Sequence, residues 1–112
     1  MPQYLGRFSY SASAVRALVD SPQDRETAAR EVVEALGGRL LGFWFAFGEY
    51  DGVFIVELPD HATATALAMT VAGSGAMSRF ETTVLLGMDE AQEAMRKAAS
   101  ASAGYRPPAG ST

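Results

Sequence analysis

The chain has 112 residues, 48% hydrophobic and 20% charged, with nine Lys/Arg against thirteen Asp/Glu and a net charge of -4. This is the size and composition of one globular domain, and its acidic balance argues against nucleic acid or an anionic membrane surface as a partner. There is no cysteine and one histidine, His61, which excludes disulfides, thiolate catalysis and a metal centre built on Cys or on several His of one chain.

Residues 3–10 (QYLGRFSY) are aromatic-rich without a helical period and predict a first strand. Ser11 or Ser13 suits the N-cap of a short helix reaching about Val19, which Asp20, Ser21 and Pro22 interrupt. A longer helix is expected from about Gln23 to Leu36, with Ala28, Val32, Ala35 and Leu36 on one face, before Gly37 and Gly38 end it. Residues 39–47 and 52–58 read as two strands joined by a hairpin-like turn, Gly48-Glu49-Tyr50-Asp51. Pro59 stops the third strand, and Asp60 suits the cap of a helix over roughly 61–72. In that helix Ala62, Ala66, Met69 and Ala72 recur at helical spacing. Gly73-Ser74-Gly75 breaks it, residues 77–86 form a fourth strand, and residues 89–101 form a last helix with an acidic start and a basic end.

The order β-α-β-β-α-β plus a terminal helix predicts an α+β, ferredoxin-like domain over residues 1–103, with a four-stranded antiparallel sheet and helices on one face. A Pro/Gly-rich tail over 104–112 is expected to be mobile unless docked on another subunit. No basic stretch followed by an apolar run opens the chain, and the longest apolar run, Leu40–Phe47, is strand-sized and holds Gly42. No signal peptide or membrane span is expected, and a cytoplasmic location follows.

Strand side chains alternate between faces, so a sheet with one wet face should alternate apolar and polar. The second strand does not: Leu41, Phe43, Phe45 and Phe47 fall on one face and Leu40, Gly42, Trp44 and Ala46 on the other. The third strand likewise sets Phe54, Val56 and Leu58 against Val53 and Ile55. The crossover helices cover one face, so the other is expected to meet a second copy of the chain in a homodimer or larger homo-oligomer. The element of the same chain that would cover it instead is the last helix.

Phe45-Ala46-Phe47-Gly48-Glu49-Tyr50-Asp51, followed by an apolar strand and Leu58-Pro59-Asp60, resembles the GYD-domain family, named for a G-x-Y-D-like turn between its second and third strands. The joint Leu36-Gly37-Gly38-Arg39-Leu40, the strand from Ala76-Met77 to Val84-Leu85-Leu86 and the tail Gly104-Tyr105-Arg106-Pro107-Pro108 are similar as well, so the resemblance covers nearly the whole chain. It implies a bacterial protein with a ferredoxin-like fold of the dimeric α+β barrel type, in which two sheets pack face to face. It supplies no catalytic residue. Relatives of that fold include cofactor-free monooxygenases, small isomerases, haem enzymes and ligand-sensing domains, and fold alone does not choose among them.

Asp60-His61 reads as the surface start of a helix. Gly73-Ser74-Gly75-Ala76 follows a helix and precedes a strand, the reverse of a phosphate-binding order. Arg7, Arg79, Glu57 and Glu81 suit cross-strand ion pairs, and Asp51 suits an acceptor of turn N–H groups. A candidate ligand site draws on Trp44 and Met77 as apolar wall and on Tyr50, Asp51 and Arg79 as polar handles, lying between sheet and helices or in the mouth of a two-sheet barrel. No catalytic residue, metal or cofactor is assigned. The expected function is an oligomeric small-molecule-binding or interaction domain, with a small apolar molecule as the ligand it would take. The alternative is a small cofactor-independent enzyme, monooxygenase- or isomerase-like, acting on an apolar or aromatic substrate.

Overall fold

The computed structural model describes residues 1–110; Ser111 and Thr112, the end of the expected tail, lie outside the described residues. Its elements are β1 (Gln3–Tyr10), α1 (Ala12–Asp20), α2 (Arg25–Ala35), β2 (Arg39–Phe45), β3 (Gly52–Glu57), α3 (His61–Ala72), β4 (Met77–Leu85) and α4 (Met88–Ser102). The four strands form one antiparallel sheet in the order β2-β3-β1-β4, the ferredoxin-like arrangement expected from the element order.

Side-chain oxygens start three of the helices by accepting N–H groups that have no partner within the first turn. Ser11 accepts from Ala14 at 3.2 Å, Asp24 from Glu26 and Thr27 at 3.0 and 3.2 Å, and Asp60 from Thr63 at 2.8 Å. The core lies between the sheet and helices α2 and α3. It is built on Tyr4, Phe8, Leu40, Phe54, Val56 and Leu58 from the strands and the segment just after β3, Val33 from α2, and Ala64 and Leu67 from α3.

The face assignment in β2 needs correction. The β2–β3 register shifts between Leu40 and Gly42, so that Leu40 pairs with Val56, Gly42 with Ile55, Phe43 with Phe54 and Trp44 with Val53. A β-bulge at Leu41 adds one residue and reverses the alternation beyond it. Leu40, Phe43 and Phe45 therefore share the helix-side face, while Gly42 and Trp44 lie on the outer face. β2 also ends at Phe45, before Phe47, which adopts a positive φ of 49° in the turn. The Ala62–Ala66–Met69–Ala72 spacing in α3 is not its core face either: Ala64 and Leu67 are buried, whereas Met69 is 70% exposed. α3 is apolar around most of its circumference, so periodicity does not single out a face.

The last helix does not cover the outer face. Every residue of α4 is exposed except Ala91, which is half-buried. The radius of gyration is 18.1 Å, against about 13 Å for a compact domain of this length, because α4 and the segment after it extend from the body. No helix among the described residues is long and apolar enough to cross a membrane.

Candidate functional site

A cleft of about 270 Å³ opens between α2, α3 and the sheet. Its floor is aromatic: Phe8, Phe43, Phe54 and Phe80 contribute from four different strands. Phe43 and Phe54 stack with centroids 6.4 Å apart, and Phe54 meets Phe80 at 5.9 Å. Backbone at two glycines makes room for these rings. A Cβ on Gly6 would stand 2.0 Å from Phe54 Cζ, and one on Gly52 would stand 2.2 Å from Phe8 Cζ. The walls are small. Ala28 and Ala29 on α2 face Leu67 and Val71 on α3, leaving between the helices a gap that larger side chains would fill.

The polar side chains of the cleft are Tyr10, Arg25, Thr70 and Ser74, and Arg25 carries the one charge among the lining residues. Arg25 Nη1 donates to Gln23 Oε1 at 3.1 Å. The guanidinium also stands beside the Tyr10 hydroxyl in the lining of the cleft. Burial pushes the Tyr10 phenol above its ordinary value, Arg25 partly offsets this, and Asp51 adds to it. A second space of about 330 Å³ between α3 and β4 is a groove rather than an aromatic-floored cleft. Two of its polar groups, the Tyr4 hydroxyl and His61 Nδ1, are joined to each other at 2.6 Å.

The five residues singled out from the sequence do not form one site. Met77 lines the cleft. Asp51 stands behind it, where Oδ2 accepts the backbone N–H of Tyr10 at 2.9 Å. That N–H lies just past the end of the β1–β3 ladder, which stops at Phe8 and Gly52. Tyr50 and Arg79 lie on the outer face. The Tyr50 ring has the Arg7 guanidinium 4.8 Å and the Arg79 guanidinium 4.2 Å from its centroid, within cation–π range. Arg79 also donates to the Glu49 carbonyl at 2.8 Å, and Arg7 pairs with Glu81 at 3.2 Å. The Glu81 carboxylate beside the Tyr50 hydroxyl raises its pKa above the usual phenol value, and burial acts in the same direction.

Trp44 lies on the outer face with its indole folded over Gly42, where a Cβ would stand 2.2 Å from the ring. It remains 53% exposed. Leu5, Val53 and Ile55 are its apolar neighbours by register, bordered by the Arg7–Tyr50–Arg79–Glu81 cluster and by the Arg39–Glu57 pair at 2.9 Å. Tyr10 and Arg25, two of the polar groups of the cleft, were not singled out from the sequence. Tyr10 reads as the end of a strand and Arg25 as a solvated helix residue, and only the packing of α2 against β1 joins them.

Among the described residues no three His, Cys, Asp or Glu side chains gather to hold a metal ion. No curated protein matches the chain. The fold is similar to that of TTHA0845 from Thermus thermophilus, with 17% identity, a TM-score of 0.53, and coverage of 78% of this chain and 95% of that one. It is also similar to the hypothetical protein PHS023 from Pyrococcus horikoshii, with 14% identity, a TM-score of 0.50, and coverage of 78% and 92%. At these identities the likeness is one of fold. The GYD domain model matches residues 4–95, from the first buried tyrosine of β1 through the first half of α4. The chain belongs to the GYD domain family.

Proposed function

We propose that this protein is a homo-oligomeric small-molecule-binding domain. Each chain holds one small, largely apolar molecule in the cleft between α2, α3 and the sheet, and it meets a second copy through the outer sheet face. The observation that carries the reading is the cleft: about 270 Å³, an aromatic floor, alanine walls and few polar groups. Its size is near the lower end of small-molecule sites, which suits a single ring or a short chain. The oligomer is supported by the outer face, where Trp44 is half exposed beside Leu5, Val53 and Ile55 and no helix of the same chain packs.

Native mass spectrometry of the freshly purified protein tests both parts. The expected species contains at least two chains of 11.9 kDa, with additional small-molecule mass or with uptake of added apolar compounds. A single chain at micromolar concentration sinks the oligomer. Bare chains that take up no compound sink the binding reading. The Tyr10–Arg25 pair favours one further reading, a cofactor-independent enzyme of the monooxygenase or isomerase type, because it is the only acid–base chemistry among the lining residues. Turnover of an aromatic substrate that is abolished in Tyr10→Phe is the test of that alternative.

A further inference from the structure

We infer that the molecule held in the cleft carries a carboxylate, gripped at the rim by the Arg25 guanidinium and the Tyr10 hydroxyl while its apolar body lies over Phe54 and Phe80. This rests on the cleft being a ligand site, and it follows from which polar groups there are still free. Thr70 Oγ1 is committed to the Ala66 carbonyl at 2.8 Å. Ser74 Oγ donates to the Val71 carbonyl at 2.6 Å and accepts the Ala76 N–H at 3.2 Å. Both hydroxyls are thus spent on the end of α3 and the turn after it.

Arg25 has five N–H donors in a planar fork, and the bond to Gln23 leaves donors over. The Tyr10 hydroxyl stands beside the guanidinium and has an O–H to donate. Both free functions are donors and one is a full positive charge, so a planar anionic acceptor is the matching head group. Neighbouring carboxylates do not occupy that role. Asp51 turns Oδ2 to the Tyr10 backbone N–H, and Asp24 is engaged by Glu26 and Thr27 at the start of α2. Neither lines the cleft. A single guanidinium suits a monocarboxylate, and the aromatic floor a ring or short alkyl chain.

Calorimetric titration with matched pairs tests this: hexanoate against hexanamide, and phenylacetate against phenylacetamide. The expected result is that each carboxylate binds at least about tenfold more tightly than its amide, as expected for charge-assisted hydrogen bonds. Arg25→Gln should remove that advantage, so that each acid binds no more tightly than its amide. Tyr10→Phe should reduce it in part. Ala29→Leu, which narrows the cleft, should weaken acid and amide alike. Equal affinity for acid and amide in the unaltered protein, or a preference that survives Arg25→Gln, overturns the carboxylate inference and leaves the cleft as a binding site. Failure of all four compounds to bind overturns the inference and the cleft reading together.

Discussion

Gly6 faces Phe54 across the β1–β3 pair, and the ring occupies the space a side chain would take. Gly6→Ala should therefore force the ring off its site and lower stability by about 1–3 kcal/mol, read from urea denaturation. Asp51 was expected to accept N–H groups of its own turn, and it takes one from the end of β1 instead. Tyr50 covers strand side chains, here the arginines of β1 and β4. Acid sensitivity also has residue-level origins. The Thr63 hydroxyl and N–H hold the Asp60 carboxyl below its ordinary value, Thr27 does so for Asp24, and Arg39 for Glu57. A carboxylate depressed in the folded state contributes stability that is present above its unfolded pKa and is lost as pH falls through the folded one. Melting temperature should thus hold from neutral pH to about pH 5 and fall below it. Asp60→Asn keeps a capping side chain that does not titrate. It should melt close to the parent at pH 7 and show a shallower decline in acid.

At the scale of elements, most boundaries were legible because they have local causes: Ser11 and Asp60 as caps, Gly37 with a positive φ of 81° after α2, and Pro59 after β3. The two faces of β2 were not. Nothing in Leu40-Leu41-Gly42 distinguishes a regular strand from a bulged one, since every candidate position is apolar or glycine, and the bulge is fixed by pairing with β3. Deleting Leu41 should remove the bulge and leave a regular strand in which Gly42 still pairs with Ile55 and Phe43 with Phe54, so the fold should be kept and tryptophan emission should stay that of an exposed indole. The core face of α3 was hidden for the related reason that alanines lie all around it. Leu67, 5% exposed, and Met69, 70% exposed, separate the two stripes by experiment. Leu67→Ala should cost about 2–5 kcal/mol, and Met69→Ala should stay within about 0.5 kcal/mol of the parent.

At the scale of the whole molecule, one side of the sheet is covered and the other is not. Phe8, Phe54 and Val56 are buried beneath α2 and α3, while Trp44 stands open on the opposite face and α4 extends away without packing on the strands. That imbalance was visible in the sequence as apolar residues on both faces of β2 and β3. The cleft was not, because it depends on the distance between two helices, which alanines at 28 and 29 permit but do not announce. Trp44→Glu should keep the fold, since the site is half exposed in one chain, and should convert the proposed homo-oligomer to a monomer by placing a charge in the proposed contact. Light scattering with circular dichroism distinguishes this outcome from unfolding. The most direct test of the proposed function is a methyl NMR titration of small apolar compounds. It follows Ala28, Ala29, Val71 and Met77 around the cleft, with Leu5, Val53 and Ile55 on the outer face as controls. The account predicts saturable shifts confined to the cleft methyls and weakened in Ala29→Leu. Shifts confined to the outer-face methyls, or none at either face, would contradict it.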